Sequence, residues 1–424
     1  MIAGVLCFNA MKPFIFTPFI LVVLAGGYAC QKEVAIENEL MMSDQQLQEK
    51  AARLAHELVI FDAHIDVPFR LSQRIDDISQ RTEGGDFDYA RAREGGLNAA
   101  FMAIYIPPYY QEGGAKELAD ELILMVEGFS GQWPEKFASA RSVAEIRTNF
   151  AQGKISLPMG IENGAPLEGN LENLNYYYKQ GIRYLTLTHM KSNQICDSSG
   201  DPEHEWNGLS PFGREVILRM NRLGMMIDIS HASDETFFQV VQLSTAPVIA
   251  SHSSCRRFTP GWERNMSDDM LLRLKKNGGV IQINFGSSFV NNDYLLRKLE
   301  RDRHIGQYLE AHDLQERDET AQQYYKKYSR EHPIPYADVS EVADHIDHVV
   351  KLIGVDHVGL GSDFDGVGDS LPYGLKDVSG YPNLIYHLLK RGYSEADIEK
   401  ICSGNLLRVW SEVERVAQQL QTRG

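Results

Sequence analysis

The chain has 424 residues, 43% of them hydrophobic and 24% charged, with 58 acidic against 42 basic side chains and a formal charge of −16. That length and apolar content belong to a globular protein with a sizeable core and exclude an intrinsically disordered one. The acidic excess excludes nucleic acid as a partner, because binding phosphates needs a basic surface.

Lys12 is the only charged residue before Lys32, and an apolar run from Pro13 to Gly27 leads into GGYAC. The pattern predicts an export signal over residues 1–29. Cys30 at its end resembles the lipidated first residue of a mature bacterial lipoprotein. That resemblance implies a membrane attachment through a lipid on Cys30, a cell-envelope location on the periplasmic or surface side, and a polar tether over 30–42. Ordinary secretion and an uncleaved anchor are the alternatives. Of the five cysteines, Cys7 and Cys30 fall in the signal region, and Cys196, Cys255 and Cys402 lack the C-x-x-C spacing of a zinc site. Three is an odd number, so at least one of these thiols stays outside any intrachain disulfide.

Ser43 and Gln46 form a capping box ahead of Leu47, Ala51, Leu54 and Leu58 at helical spacing, so a helix is predicted to open the folded domain, 43–424. Eight short apolar runs follow, at 59–66, 97–106, 155–163, 184–190, 225–231, 247–253, 279–286 and 357–366. Segments of helical period lie between them, among them 115–129, 212–224, 267–279 and 341–354. Strands alternating with helices imply parallel pairing, and eight such units predict an α/β fold of the (β/α)8 TIM-barrel type. An open doubly wound sheet is the competitor, but no glycine-rich phosphate loop follows any of the runs. Residues 290–338, between the seventh and eighth runs, are highly charged and of helical period. They predict one or two inserted helices, serving as a cover, as a subunit contact with a homodimer left open, or as a solvated excursion without catalytic duty.

Ionisable residues stand where the apolar runs stop. In VIFDAHIDVPFR, Asp62, His64 and Asp66 share one face of a strand. Glu162, His189, His231, His252 and Asp363 end the third, fourth, fifth, sixth and eighth runs. Each alone reads as a satisfied core histidine or a rim hydrogen bond, but six strands ending this way is not coincidence. In a parallel barrel these ends face one rim, where such folds hold their active sites. Imidazole nitrogens with carboxylate oxygens suit zinc and nearby transition metals better than calcium or magnesium. A glutamate among them can bridge two ions about 3.5–4 Å apart, whose shared water would attack a carbonyl. No G-x-S-x-G elbow supports a serine nucleophile, and Cys255 is assigned to packing.

The motifs DAHIDVPFRL, GIENG, RYLTLTH, GLSPFGREVILRMNRLGMMIDISH, APVIASHSS, RNMSDD, GLGSDFDG and NLLRVW resemble those of the membrane (renal) dipeptidases, peptidase family M19, over about residues 60–415. The resemblance implies an amidohydrolase-like metal-dependent barrel that hydrolyses dipeptides, with tolerance of a D-residue on the carboxyl side. It implies two Zn2+ per chain, one held by His64, Asp66 and Glu162 and one by Glu162, His231 and His252, with Glu162 as the bridge. By the same match His189 contacts substrate and stabilises the oxyanion, and Arg264 grips the terminal carboxylate, a task suited to a guanidinium fork. The match also implies that Asp363 orients the bridging water and shuttles its proton to the leaving amine. Two departures stand out. The link SHSSCRRFTPGWERN is longer than usual for the family, so Arg256 or Arg257 competes with Arg264, and the 290–338 insertion puts substrate preference in doubt more than reaction type. A metal-dependent amidase or lactonase, and a non-catalytic binding lipoprotein, are the alternative functions.

Overall fold

A computed structural model describes residues 42–315 and 317–423; the predicted export signal and Cys30 lie outside the described residues. The chain divides into a short N-terminal unit, Met1–Leu47, and a body, Gln48–Gly424. In the first, the amide of Gln46 donates to Ser43 Oγ at 3.2 Å and that of Ser43 to Gln46 Oε1 at 2.8 Å, the reciprocal cap expected at the start of helix Asp44–Glu57.

The body is built on strands that all pair in parallel: β1 (Ile60–Ile65), β2 (Leu97–Tyr105), β3 (Phe137–Ser139), β4 (Ile155–Leu157), β5 (Met159–Glu162), β6 (Ile182–Thr186), β7 (Met226–Asp228), β8 (Ile249–Ser253), β9 (Val280–Ile283) and β10 (Val358–Leu360). From β1 the ladder runs through β2, β5, β6, β7, β8, β9 and β10. A parallel bridge between Ile65 and Phe364 then brings the segment after β10 back to β1. The sheet closes into the predicted eight-stranded barrel. Buried Asp62 reinforces the seam by accepting hydrogen bonds from the amides of His64 and Ser362 and from the Tyr381 hydroxyl.

One predicted strand is divided. Pro158 splits the run 155–163 into β4 and β5, because proline has no amide to donate to a ladder. β4 pairs with the first half of β2 at Ala99, β5 with the second half from Met102 to Tyr105, and the unforeseen β3 pairs with β4.

Helices cover the outside of the barrel, so its strands are buried on both faces and read as unbroken apolar runs. Inside, Phe61, Phe101, Tyr184, Met226, Ile249 and Val280 form one cluster with Leu406, Trp410 and Val413 of the C-terminal helix Asn405–Arg423. Asn405 donates to the carbonyls of Val355 and Val358 at 2.7 and 2.8 Å, fastening that helix at the start of β10. The helix therefore floors the barrel at the end opposite the strand tips. Phe61 stacks on Phe101 at 5.2 Å between centroids, and Phe101 meets Trp410 at 5.4 Å and Tyr184 at 4.8 Å.

The insertion between β9 and β10 holds two helices, Asn292–Ala311 and Glu319–Glu331, which pack through a small core of their own around Ile305, Leu309 and Ala321. Tyr308 lies flat on Tyr324 within it, 3.5 Å between centroids. Among the described residues no helix is long and apolar enough to cross a membrane. Cys196, Cys255 and Cys402 are all free, buried thiols.

His345, on helix Val339–Ile353, joins the base of the insertion to the loop after β8. Its Nδ1 accepts from the Cys255 amide at 3.0 Å and its Nε2 donates to the Val290 carbonyl at 3.2 Å. Only the neutral ring satisfies both partners, and burial brings its pKa down to about 3. In the unfolded chain an ordinary histidine takes a proton below about pH 6.5, so acid favours unfolding at this residue. Between pH 7.5 and pH 5 the stability lost through His345 is about 2 kcal/mol. A His345→Gln variant does not titrate. Its deficit relative to the parent in urea unfolding at pH 7.5 is expected to shrink by about 2 kcal/mol at pH 5, and a gap that stays constant refutes the assignment.

Candidate active site

Closure of the barrel brings the strand tips to a common rim. Glu162 ends β5 and lies in register with Tyr105 of β2; His64 belongs to β1, Asp66 follows it directly, and His252 belongs to β8. The fourth, fifth and eighth predicted strands end early. His189, His231 and Asp363 each stand three residues past the last residue of β6, β7 and β10. His231 and Asp363 there adopt left-handed backbone, φ 68° and 63°, a conformation that costs a non-glycine residue energy and persists only where neighbours enforce it. The His231 carbonyl accepts from the Ser199 amide at 2.8 Å and the Ser199 hydroxyl at 3.1 Å. The Asp363 amide donates to the His64 carbonyl at 3.1 Å across the seam.

Glu162 is the centre of the cluster. Its Oε2 is 3.4 Å from His64 Nε2, and its Oε1 is 3.1 Å from His231 Nε2, 3.2 Å from His252 Nε2 and 3.7 Å from His189 Nε2. Asp66 Oδ2 is 3.4 Å from His64 Nε2, and Asp363 Oδ2 accepts from Asn284 Nδ2 at 2.7 Å. Behind His64, its Nδ1 meets the Tyr184 hydroxyl at 2.8 Å. His189 packs between the rings of Tyr105 and His231, at 4.8 and 4.2 Å.

Burial works against charge throughout the cluster. It drives His252 down to about 3, helped by the nearby His64 and Arg264, and it drives His231 well below the usual imidazole range, helped by Arg264. Both rings are therefore neutral and keep a nitrogen lone pair. Glu162 is different: burial opposes its ionisation, but the neighbouring His64, which favours its own charged form, leads the influences that outweigh it and hold the carboxyl well below its ordinary value. Burial raises Asp363.

Of the three competing arginines, only Arg264 reaches the site. It is 6% exposed, and its Nη2 lies 2.9 Å from the His252 carbonyl and 3.1 Å from His231 Nε2, while Nη1 donates to Ser253 Oγ at 2.7 Å. Burial lowers it to about 10, which leaves it cationic at neutral pH. Arg256 turns away and grips both carboxylate oxygens of Asp234, at 2.6 and 2.7 Å, and Arg257 is exposed.

The donor set fits metal ions. Among the described residues, ligand atoms lie within 4.8 Å of one another in three groups: His64, Glu162 and His252; Glu162, His189 and His231; and His64, Asp66 and Asp363. His64 Nε2 and Asp66 Oδ1 are buried at the centre with no hydrogen-bond partner, an expensive arrangement for polar atoms unless something else binds them. Nitrogen and carboxylate donors at this density are those of transition-metal hydrolases.

Comparison with known proteins identifies the lineage. The family model described as Membrane dipeptidase (Peptidase family M19) matches residues 48–424. This chain belongs to that family. Mouse Dipeptidase 3 is 33% identical over 385 residues, 89% of this chain and 69% of that protein. Dipeptidase aclJ of Aspergillus oryzae is 35% identical, over 79% of this chain and 72% of its own length. The crystal structure of the probable dipeptidase PvdM from Pseudomonas aeruginosa superposes with a TM-score of 0.77 at 28% identity, covering 88% of this chain and all of that one. A Rhodobacter sphaeroides metallo peptidase, liganded with a phosphinate mimic of the dipeptide L-Ala-D-Ala, gives 0.69 at 25% identity over 84% and 99%. The M19 chain is thus a metallopeptidase that acts on dipeptides, on the amidohydrolase-like barrel that its motifs predict.

Pattern reading missed the residues standing behind the ligand candidates: Tyr184, Ser199, Asn284, Asp228 and Ser251. For Asp228 a signal existed. A carboxylate inside the apolar run MMIDISH has to be buried, and a buried carboxylate calls for a structural task.

Proposed function

We propose that this M19 dipeptidase works with two zinc ions, one held by His64, Asp66 and Glu162 and the other by Glu162, His231 and His252. The observation that carries the proposal is Glu162, whose two oxygens face different imidazoles, Oε2 toward His64 and Oε1 toward His231 and His252. Bound there, the ions would supply a water acidified to near neutrality and a Lewis acid for the peptide carbonyl.

The chain's own groups do the rest. Arg264, charged and buried beside the cluster, fixes the terminal carboxylate of the substrate. His189 is kept neutral by burial and offers Nε2–H to the carbonyl oxygen as negative charge grows on it. Asp363 has Oδ2 occupied by Asn284, so Oδ1 is the atom that takes a proton and hands it to the departing amine. Its burial-raised pKa suits that exchange. Acceptance of a D-residue on the carboxyl side is proposed with the Rhodobacter relative's ligand as its support. The proposed setting is the bacterial cell envelope, with residues 1–29 removed and a lipid on Cys30, supported by the export pattern.

The deciding experiment measures zinc content beside hydrolysis of L-L and L-D dipeptides, N-acylated amino acids and lactones. Two zincs with turnover confined to dipeptides are expected; faster turnover of substrates lacking a free carboxylate would favour the amidase or lactonase alternative. His231→Ala should lose about one zinc and more than the roughly 100-fold activity that a supporting residue costs, while remaining folded by circular dichroism. Arg264→Met is expected to raise KM for dipeptides by about 30- to 150-fold, the worth of a charge-assisted fork, with Arg256→Met within about twofold of the parent. The reverse ranking would transfer the carboxylate to Arg256. Cys30→Ala expressed in a bacterial host should move the protein from the membrane pellet to the soluble fraction, and a variant that stays in the pellet counts against the lipid.

A further inference from the structure

We infer that Ser251 and Asp228 are positioning residues that set the tautomer of His252, so that its Nε2 is the nitrogen presented to the metal centre. The inference rests on the two-zinc reading above for the metal, but the hydrogen-bond chain stands by itself. Asp228, the last residue of β7, is fully buried, and each of its oxygens has two donors. Oδ1 accepts from the Ser230 and Ser251 amides at 3.1 and 2.8 Å. Oδ2 accepts from the Ser251 hydroxyl at 2.6 Å and from the Thr186 hydroxyl.

Proton counting decides the direction of the next bond. A carboxylate only accepts, so the one hydroxyl hydrogen of Ser251 is spent on Asp228 Oδ2. Ser251 Oγ lies 2.7 Å from His252 Nδ1 and can therefore only accept there. Nδ1 carries the hydrogen of the neutral ring, and Nε2, 3.2 Å from Glu162 Oε1, carries the lone pair. Were the serine to turn its hydrogen to Nδ1, its oxygen would face Asp228 Oδ2 at the same 2.6 Å with no proton between them. The carboxylate's charge, two hydrogen bonds away, also makes the imidazole a stronger ligand.

His231 has no such support. Its Nδ1 is buried without a hydrogen-bond partner, and it is the backbone, held by Ser199, that places this ring. Loss of the Ser251 hydroxyl should therefore act on His252 alone. Thr186 provides the control, since it shares Asp228 Oδ2 but does not touch His252.

The test uses the full chain with 15N-histidine labelling and zinc loading. Imidazole nitrogen shifts of the parent should show His252 protonated at Nδ1, and Ser251→Ala should lose that signature. Dialysis against a chelator with zinc counted by emission should leave two ions in the parent and in Thr186→Val. Ser251→Ala should hold one of them about 10- to 100-fold more weakly. A parent ring protonated at Nε2, or a Ser251→Ala variant that keeps both ions like the parent, overturns the inference alone. A parent that binds no zinc overturns it together with the metal centre.

Discussion

A carboxylate removed from water must be met by positive charge or donated hydrogens, and Glu162 has been removed almost completely. What surrounds it are imidazole nitrogens, two of them on rings that burial keeps neutral. Neutral rings turning lone pairs toward an anion, and toward one another, with His231 Nε2 and His252 Nε2 3.0 Å apart, form a cluster of acceptors. Cations are the general way to make such a cluster favourable, because they turn mutual repulsion among donors into coordination. The chemistry of the family and the electrostatics of this one side chain therefore ask for the same thing.

Everything else about the fold serves to hold those donors close. A closed parallel sheet gives each strand a tip on one rim, and the seam between β1 and the segment after β10 brings Asp363 to His64 and Asp66, some three hundred residues earlier in the chain. The devices differ from ligand to ligand. His64 leans on a tyrosine, His231 on a strained turn held by a serine, and His252 on a serine backed by a carboxylate. Such supports matter because a ligand set loosened by even an ångström weakens both binding and catalysis.

Much of this was legible in the chain. Apolar runs buried on both faces announce parallel strands, and an ionisable residue at the end of a run has to sit where a strand meets solvent, so barrel and rim followed together. Other features depend on partners remote in sequence. Nothing local distinguishes Arg256 from Arg264; Asp234 does, by occupying the first. Nothing in YLTLTH says that the hydroxyl of Tyr184 will meet His64, or in NLLRVW that Trp410 will floor the barrel. The early ends of β6, β7 and β10 were invisible because a buried turn and a buried strand are equally apolar. The break at Pro158, by contrast, was written in the sequence and lost inside an otherwise persuasive run.

The rings inside the barrel make a column: Trp410 bears on Phe101, Phe101 on Tyr184, and the hydroxyl of Tyr184 on His64. Close-packed interiors transmit displacement rather than absorb it. A displacement of the Trp410 indole at the floor would therefore be passed through two rings and a hydroxyl to His64 at the opposite mouth.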